Sequence, residues 1–324
     1  MNVGIAITKN QIKFERLIQN LKQKFNICNF IYLADENAII QNINKLDILL
    51  SYHIPRDIFN QNISSLKWIQ LGNAGVDNCM FEQVIKSKII ITNSRGINSV
   101  PVAEFVMSAI LFFTKNITDC IEFQKNKIWT QWEIAKRNDT LENKIIGIIG
   151  YGAIGKAIAK RAKSFNMKIY ATKRLQKKTI SNSTTDLLLP LKDIDYILKN
   201  SDYIVIACPL TPLTYQLINK KKINQCKPSA YIINISRGGI IDEEALCTAL
   251  KNKKIKGAAL DVFNKEPLNQ KNALFNLNNV LLSPHISGNF KDYQFKVIES
   301  FEKNLERFIN KKPLQNRVCK KRLY

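Results

Sequence analysis

Three side chains that could together bind an anion and move a proton stand in the second half of the chain. Arg237 lies in the sequence NISRGGIID, Glu266 in LDVFNKEPL and His285 in LSPHISG. Each stretch follows a predicted strand, and open α/β sheets bind ligands beyond the carboxyl ends of their strands. A guanidinium can bind a carboxylate through two hydrogen bonds, and an imidazole exchanges a proton near neutral pH. The three stretches therefore predict an acid–base site for an anionic ligand.

A glycine-rich loop precedes these stretches, between a predicted strand at residues 144–149 and a predicted helix at residues 156–165. In dinucleotide-binding folds the first glycine of Gly-x-Gly-x-x-Gly permits a tight turn. The second lets the backbone approach the pyrophosphate, and the third lets helix and strand pack closely. A turn without a ligand is the alternative, but the strand before and the helix after favour a nucleotide site. We expect five residues at the pyrophosphate, near the helix N-terminus: Gly150, Gly152, Ala153, Ile154 and Gly155.

The end of the next predicted strand bears on the choice between NAD and NADP. NAD-specific sites place an acidic residue about 20 positions beyond the glycine loop, where it binds the ribose 2′-hydroxyl. Here the strand ends in Thr172, Lys173 and Arg174, which offer a hydroxyl and two cations. Since cations suit a 2′-phosphate, we expect these residues to bind the cofactor and to favour NADP over NAD. The alternative is that both cations are ordinary surface residues of a lysine-rich chain.

The order Arg237, Glu266, His285 after a dinucleotide loop resembles the D-isomer-specific 2-hydroxyacid dehydrogenase family, and within it the glyoxylate/hydroxypyruvate reductase type. The similarity spans nearly the whole chain, from the loop at residues 72–77 to residues 304–308. It implies an oxidoreductase that transfers a hydride between NAD(P)H and a small 2-oxoacid or D-2-hydroxyacid. Glyoxylate and hydroxypyruvate are the substrates we expect first, with D-lactate and phosphoglycerate chemistry behind them.

The resemblance assigns a catalytic role to each of the three side chains. Arg237 would bind the substrate carboxylate and polarise the carbonyl, for which a planar guanidinium is suited and a lysine is not. His285 would donate the proton that reaches the oxygen as the hydride reaches the carbon. Glu266 would bind the other ring nitrogen, which sets the tautomer and stabilises the imidazolium. In the oxidation direction the neutral imidazole would remove the hydroxyl proton.

The resemblance also implies further site residues. Backbone N–H groups of Ala74, Gly75 and Val76 would bind the substrate carboxylate. Asp261 would bind the nicotinamide carboxamide, unless it only caps a helix. The remaining cofactor residues would be Cys208, Pro209 and Thr214, which pass the adenosine side, and Ser236.

Two departures from the family pattern bear on specificity. No acidic residue stands at the usual nucleotide position, and Asn289 and Phe290 replace the small residue and the threonine that often follow the histidine motif. We expect the second change to alter the pocket wall. Selectivity among 2-oxoacids should depend on loops at residues 51–55, 73–76 and 289–293.

The pattern of apolar runs predicts two α/β units. Short strands alternate with helices over the first 98 residues, and a second series begins at residue 144, after a long apolar helix that Ser99 should cap. A helix at residues 292–309 could return to the first unit. We expect two doubly wound domains: a flavodoxin-like substrate domain (residues 1–98 and 288–324) and an inserted Rossmann NAD(P)-binding domain (residues 99–287). The apolar helix from Val102 to Thr114 should form a homodimer interface.

Composition excludes several other classes of protein. The 324 residues are 45% hydrophobic and 23% charged, as in ordinary globular proteins. The apolar runs are too short to span a membrane and the start of the chain reads as a strand, so we expect no membrane association and a cytoplasmic location. The net charge of +23 comes from lysines spread along the chain, so no nucleic-acid partner is expected. Seven cysteines without a Cys-x-x-Cys pair and only two histidines predict no metal site.

Two other functions on related scaffolds remain open at this point. A corepressor-like protein would sense the dinucleotide without metabolic turnover, and it would bind NADPH but oxidise it with no 2-oxoacid. Formate dehydrogenases share the predicted fold, but their histidine lacks an acidic partner such as Glu266. Retention of Arg237, Glu266 and His285 together favours the chemical function.

Overall fold

The computed structural model describes residues 1–322, and the chain divides into two compact units. One unit comprises Met1–Asn98 together with the chain from Phe290 onward, and the other comprises Ser99–Asn289. The second unit is thus a continuous insertion into the first. Each unit contains one parallel sheet with helices between successive strands, so the predicted fold class is confirmed.

The sheet of the first unit has five parallel strands in the order β2-β1-β3-β4-β5, the flavodoxin-like arrangement. Strands β3 and β4 are buried throughout, as expected for central strands covered on both faces. The strands are β1 (Asn2–Ala6), β2 (Asn29–Tyr32), β3 (Ile48–Ser51), β4 (Trp68–Leu71) and β5 (Ile90–Asn93). The helices are α1 (Gln11–Lys24), α2 (Glu36–Asn42), α3 (Glu82–Lys86) and the C-terminal α11 (Tyr293–Ile309).

Helix α11 completes the core of the first unit. Its Phe301 is fully buried and stacks on Trp68 of β4, with ring centroids 5.2 Å apart. Asn304, one turn further along, donates a hydrogen bond of 3.0 Å to the side chain of Gln70. Because the helix supplies both apolar and polar partners to the central strand, the first unit depends on the returning chain.

The sheet of the second unit has seven parallel strands in the order β12-β11-β10-β9-β6-β7-β8. The strand order reverses direction at β6, beside which open sheets bind their ligands. The strands are β6 (Ile145–Ile149), β7 (Lys168–Lys173), β8 (Leu187–Pro190), β9 (Tyr203–Ile206), β10 (Tyr231–Asn234), β11 (Gly257–Leu260) and β12 (Val280–Leu282). The helices are α4 (Ser99–Thr114), α5 (Ile117–Asn126), α6 (Gln131–Ala135), α7 (Ala153–Lys163), α8 (Ile194–Asn200), α9 (Lys220–Ile223) and α10 (Glu243–Lys251).

Three elements of the second unit were not predicted. Strand β8 is a four-residue edge strand that ends in a proline, and so short an apolar run carries little signal. Helices α5 and α6 have no buried residue, so their sequences show no face turned to a core. The expected cap of α4 is wrong: Ser99 is already helical, and its buried hydroxyl makes no hydrogen bond.

The apolar surface of α4 is largely covered inside its own unit. Val102, Ala103, Val106 and Ile110 are buried in a core shared with α7 and the sheet. The reason given for a dimer interface on this helix therefore does not hold. One group of exposed large apolar side chains stands further along, in and around α5 and α6: Ile117, Ile121, Ile128, Trp129 and Trp132.

No single helix among residues 1–322 is long and apolar enough to cross a membrane. Helices α4 and α5 pass such a test only as a pair, bent by 61°. The cytoplasmic location stays a prediction.

Candidate active site

The glycine loop between β6 and α7 is shaped by close backbone approach. Gly150 has a φ of +110°, and a Cβ on it would lie 2.6 Å from the amide nitrogen of Cys208. A Cβ on Gly155 would lie 2.4 Å from the Gly150 carbonyl oxygen. Gly152, the residue before the helix, differs because a Cβ there would meet no atom within 4 Å. The first and third glycines thus permit packing, and the second leaves open space beside the helix N-terminus.

This arrangement fits a dinucleotide pyrophosphate. The first N–H groups of α7, from Ala153 and Ile154, have no acceptor within the helix, and the helix dipole favours an anion there. Tyr151 N donates to the Thr172 carbonyl oxygen at 2.8 Å, which ties the loop to the end of β7. Beyond the buried Thr172, both Lys173 and Arg174 are exposed. The cations predicted to select NADP therefore lie at the sheet edge that also carries the glycine loop.

Arg237 stands in a turn at the end of β10 that Asn234 holds closed. The buried Asn234 side chain accepts a hydrogen bond from Ser236 N at 3.1 Å and donates one to the Arg237 carbonyl oxygen at 3.0 Å. The Arg237 guanidinium itself donates to the Ser236 carbonyl oxygen at 2.7 Å. The first residue of the motif, to which we had given no role, thus sets the backbone that presents the arginine.

Gly238 brings the arginine turn against the loop that follows β11. A Cβ on Gly238 would lie only 1.9 Å from the carbonyl carbon of Phe263 and 2.3 Å from the nitrogen of Asn264. Phe263 N in turn donates to Glu266 Oε1 at 2.9 Å. The loops of Arg237 and Glu266 therefore meet through backbone, and no side chain could fit between them.

His285 and Glu266 form a hydrogen-bonded pair at the ends of β12 and β11. His285 Nδ1 lies 2.7 Å from Glu266 Oε2, while the other carboxylate oxygen is held by Phe263 N. With both carboxylate oxygens in use the glutamate has one orientation, and Nε2 is the ring nitrogen left for a substrate. The pair has the geometry of an acid–base dyad.

His285 adopts a left-handed backbone conformation, with a φ of +55°, which is uncommon outside glycine. His285 N donates to the Asp261 carbonyl oxygen at 2.9 Å. The carboxylate of the fully buried Asp261 accepts from Ser283 Oγ at 2.6 Å, Ile286 N at 2.8 Å and Ser287 N at 3.0 Å. Asp261 therefore caps the turn that carries His285, and it caps no helix.

The predicted carboxylate loop belongs to the first unit, where it follows β4. The Ala74 carbonyl oxygen accepts from Asn93 Nδ2 at 2.7 Å, and Val76 is buried. Gly72, just before the loop, packs against Tyr52 so closely that a Cβ would lie 2.5 Å from the ring. The loop is thus held from the ends of β3 and β5, the two strands that flank β4.

Comparison with known proteins decides the family. The model of the D-isomer specific 2-hydroxyacid dehydrogenase NAD-binding domain matches residues 107–287. A glyoxylate reductase of Thermococcus gammatolerans is 33% identical over 276 residues, which cover 84% of this chain and 81% of that protein. The chain belongs to the D-isomer specific 2-hydroxyacid dehydrogenase family. It is thus an NAD(P)-dependent enzyme, as the sequence predicted.

Solved structures share the whole fold of this dehydrogenase. A D-isomer specific 2-hydroxyacid dehydrogenase family protein from Aeromonas salmonicida has a TM-score of 0.85 at 27% identity, and the match covers 98% of this chain and 99% of that one. An NADPH-dependent glyoxylate/hydroxypyruvate reductase from Sinorhizobium meliloti, in complex with NADP and sulfate, has a TM-score of 0.84. That match covers 100% of this chain and 99% of that one at 22% identity, which shows a common fold.

The other predicted cofactor residues of the dehydrogenase lie in the loops that follow β9 and β10. The Ser236 hydroxyl donates to the Cys208 carbonyl oxygen. Burial raises the pKa of the Cys208 thiol to about 12, so the thiol stays neutral. The Thr214 hydroxyl donates to the Pro209 carbonyl oxygen at 2.7 Å and accepts from Thr211 N at 2.8 Å. These contacts shape the loop, and cofactor binding by the four residues stays a prediction.

Sequence reasoning missed several residues that shape the loops of the candidate site. Asn234 and Gly238 flank Arg237 in the motif we had singled out, but only the neighbouring loop reveals the close approach at Gly238. Asp261 was assigned to the cofactor, and its hold on the His285 turn had no signal in the sequence. Among residues 1–322, no three His, Cys, Asp or Glu side chains come together as a metal site would require.

Gly238→Ala should damage both the fold and the site, whereas Gly239→Ala should do little. The added methyl group of Gly238→Ala overlaps the Phe263–Asn264 peptide, while a Cβ on Gly239 would make an ordinary contact with Leu210 at 3.4 Å. We expect Gly238→Ala to lower the free energy of unfolding by about 1–3 kcal/mol and kcat/KM for 2-oxoacid reduction by about 10²-fold. Urea unfolding and NADPH oxidation measure the two effects. Equal behaviour of the two variants would contradict the close approach.

Proposed function

We propose that the chain reduces a small 2-oxoacid with NAD(P)H, with Arg237 as the substrate anchor and the His285–Glu266 pair as general acid and base. The observation that carries the proposal is the 2.7 Å contact between His285 Nδ1 and a glutamate held at both oxygens. Arg237 stands at the end of the adjacent strand β10. When bound, the reduced nicotinamide supplies the hydride.

Arg237 binds the substrate through its carboxylate and polarises the ketone oxygen. A guanidinium remains charged at every working pH and offers donors in a planar fork, so it can hold two oxygens at once. Asn234 holds the turn by accepting from Ser236 N and donating to the Arg237 carbonyl oxygen. Ala74, Gly75 and Val76 of the first unit are the other residues proposed to bind the carboxylate, through their backbone N–H groups.

His285 delivers the proton from Nε2 to the ketone oxygen as negative charge develops there. Glu266 keeps Nδ1 protonated and compensates the charge of the imidazolium, and Asp261 keeps the turn in place. In the oxidation direction the neutral ring accepts the hydroxyl proton, and the same glutamate stabilises the imidazolium that forms.

Glyoxylate and hydroxypyruvate are the proposed substrates. The chain is 33% identical over 276 residues to a protein named glyoxylate reductase, and both substrates carry the carboxylate and adjacent carbonyl that Arg237 would bind. NADPH is the proposed cofactor because Lys173 and Arg174 stand exposed at the end of β7, where a 2′-phosphate would require cations. Asp261 would also bind the nicotinamide carboxamide.

The proposed assembly is a homodimer formed through the segment from Ile117 to Ala135. Trp129 and Trp132 are 77% and 67% exposed, and Ile121 and Ile128 add to the same segment. Exposed apolar side chains in this number are typical of an interface between subunits.

The proposed function is tested by following the oxidation of NADPH and NADH with glyoxylate, hydroxypyruvate, pyruvate and 2-oxoglutarate. We expect the highest kcat/KM with NADPH and one of the first two acids. Cofactor binding without turnover on any acid would instead indicate a dinucleotide-sensing protein.

Replacement of the proton donor should separate chemistry from binding. We expect His285→Ala to slow reduction by about 10²- to 10⁴-fold, the usual contribution of a positioned acid, while NADPH affinity stays within about twofold. Gln23→Ala is the control, because Gln23 is exposed on α1 and lies outside the loops of the candidate site. Steady-state rates and fluorescence titration of NADPH provide the measurement. A His285→Ala protein with the parental rate would disprove the assignment.

The cations after β7 should determine cofactor preference. We expect Lys173→Asp combined with Arg174→Ala to lower the ratio of kcat/KM for NADPH to that for NADH by about tenfold or more. A charge-assisted hydrogen bond to phosphate contributes about 1.5–3 kcal/mol, and the new carboxylate can accept from the ribose hydroxyl. The double substitution Lys177→Asp and Lys178→Ala, further along the same exposed loop, should leave the ratio unchanged. An unaltered ratio in the first variant would show that its cations are ordinary surface residues.

The dimer should depend on the two exposed tryptophans. Light scattering at micromolar concentration should give twice the chain mass, and Trp129→Glu combined with Trp132→Glu should give the monomer mass, because charges at an apolar interface must be desolvated. Ile12→Glu is the control, since Ile12 is 84% exposed on α1. A parental chain that scatters as a monomer would refute the assembly.

A further inference from the structure

The loop that would bind the substrate carboxylate is held by donors from three separate elements. The Gly72 carbonyl oxygen accepts from the Tyr293 hydroxyl at 2.9 Å. The next carbonyl oxygen, of Asn73, accepts from Ser94 N at 3.0 Å, and that of Ala74 accepts from Asn93 Nδ2 at 2.7 Å. Three successive carbonyl groups are therefore fixed, from α11, from the turn after β5 and from β5 itself.

Fixing a carbonyl group also fixes the direction of the following N–H group. The peptide unit is planar and trans, so the carbonyl of one residue and the N–H of the next point in opposite directions. The bond to Ala74 therefore orients the Gly75 N–H, the bond to Asn73 orients the Ala74 N–H, and the bond to Gly72 orients the Asn73 N–H. We propose that Asn93 and Tyr293 are positioning residues for the loop that binds the substrate carboxylate: Asn93 orients the Gly75 N–H directly, and Tyr293 fixes the Gly72–Asn73 peptide from which the loop begins. The inference rests on the proposed function of the loop.

Asn93 is placed for this role and is fully engaged. Its side chain is 5% exposed, and its Oδ1 accepts from Arg95 N at 3.3 Å while Nδ2 donates to Ala74. Its backbone N–H donates to the Asn316 carbonyl oxygen at 3.2 Å, which holds the end of β5 against the C-terminal segment. An amide with both ends bonded cannot rotate to another partner without loss.

Tyr293 is the first residue of α11, and its ring stands in an aromatic group beside the loop. Its centroid lies 6.5 Å from that of Tyr52 and 5.6 Å from that of Phe290. The Tyr52 ring in turn packs on Gly72. Burial raises the pKa of Tyr293 to about 12, so the hydroxyl keeps the proton that it donates. Tyr52 and Tyr293, from the loops at residues 51–55 and 289–293, thus both lie beside Gly72, where the loop at residues 73–76 begins.

The role predicts a defect in oxoacid binding with little effect on the cofactor or the proton step. The N–H groups of Ala74, Gly75 and Val76 would donate to a charged carboxylate, and the loss of one such bond changes affinity by about tenfold or more. The N–H groups hold the carboxylate in the ground state and the transition state alike, so KM should change more than kcat.

The experiment compares Asn93→Ala and Tyr293→Phe with two controls on the intact chain. Tyr196→Phe and Asn278→Ala alter exposed residues of the other unit. We expect KM for glyoxylate to rise about tenfold in both test variants, with kcat and KM for NADPH within about threefold of the parent. Hydrogen exchange of the peptide that covers residues 73–76, followed by mass spectrometry, should quicken in both.

Tyr293→Phe removes a single oxygen atom, so it keeps the test valid if Asn93→Ala fails to fold. Parental KM together with parental exchange in Tyr293→Phe would overturn its positioning role. A parent chain that reduces no oxoacid would refute the proposed function instead. Hydrogen exchange of residues 73–76 in the two variants would then decide whether Asn93 and Tyr293 hold the loop. Exchange at the parental rate in both variants would overturn this inference as well.

Discussion

The buried carboxylate of Asp261 makes the interactions on which the geometry of the His285–Glu266 pair depends. A carboxylate taken out of water destabilises a fold unless donors replace the lost solvent, and here Ser283 Oγ, Ile286 N and Ser287 N do so. Hydrogen bonds to a charged group contribute about 1.5–3 kcal/mol each, which is enough to hold His285 in its left-handed conformation at a cost of about 1–3 kcal/mol. Donors of the turn thus replace water at the Asp261 carboxylate and fix the conformation of the turn. In that conformation the imidazole of His285 points toward Glu266.

Close backbone contact is the second constraint, because neighbouring loops at the ends of parallel strands must fit together. Gly150 and Gly155 let α7 begin directly behind β6, and Gly238 lets the turn of Arg237 touch the loop of Glu266. At Gly238 the backbones of the two loops come so close that a Cβ would lie 1.9 Å from the carbonyl carbon of Phe263. The three catalytic candidates stand in the loops that follow the adjacent strands β10, β11 and β12.

In the first unit, neutral backbone carbonyl groups are satisfied by donors from distant parts of the chain, as the Asp261 carboxylate is in the second unit. Its carboxylate loop contains backbone carbonyl groups that a strand or helix would have paired, and side chains or N–H groups from other elements pair them instead. Satisfying these acceptors orients the donors on the opposite side of each peptide. An anion-binding surface can therefore arise from groups that never touch the anion.

The sequence by itself determined the elements whose signals are local. The glycine spacing between a strand and a helix indicated the fold class. The three polar stretches after apolar runs, in the order Arg237, Glu266, His285, indicated the family. Each of these signals lies within a short stretch of the chain. Tertiary structure alone decided the contacts between distant residues. Asp261 reaches a turn more than 20 positions away, Gly238 meets Phe263, and Tyr293 reaches Gly72 across 221 positions. The same holds for α4, whose apolar surface suggested a subunit interface until α7 was seen to cover it. Apolar periodicity shows that a face is buried, but the partner that buries it depends on packing, which a single sequence does not record.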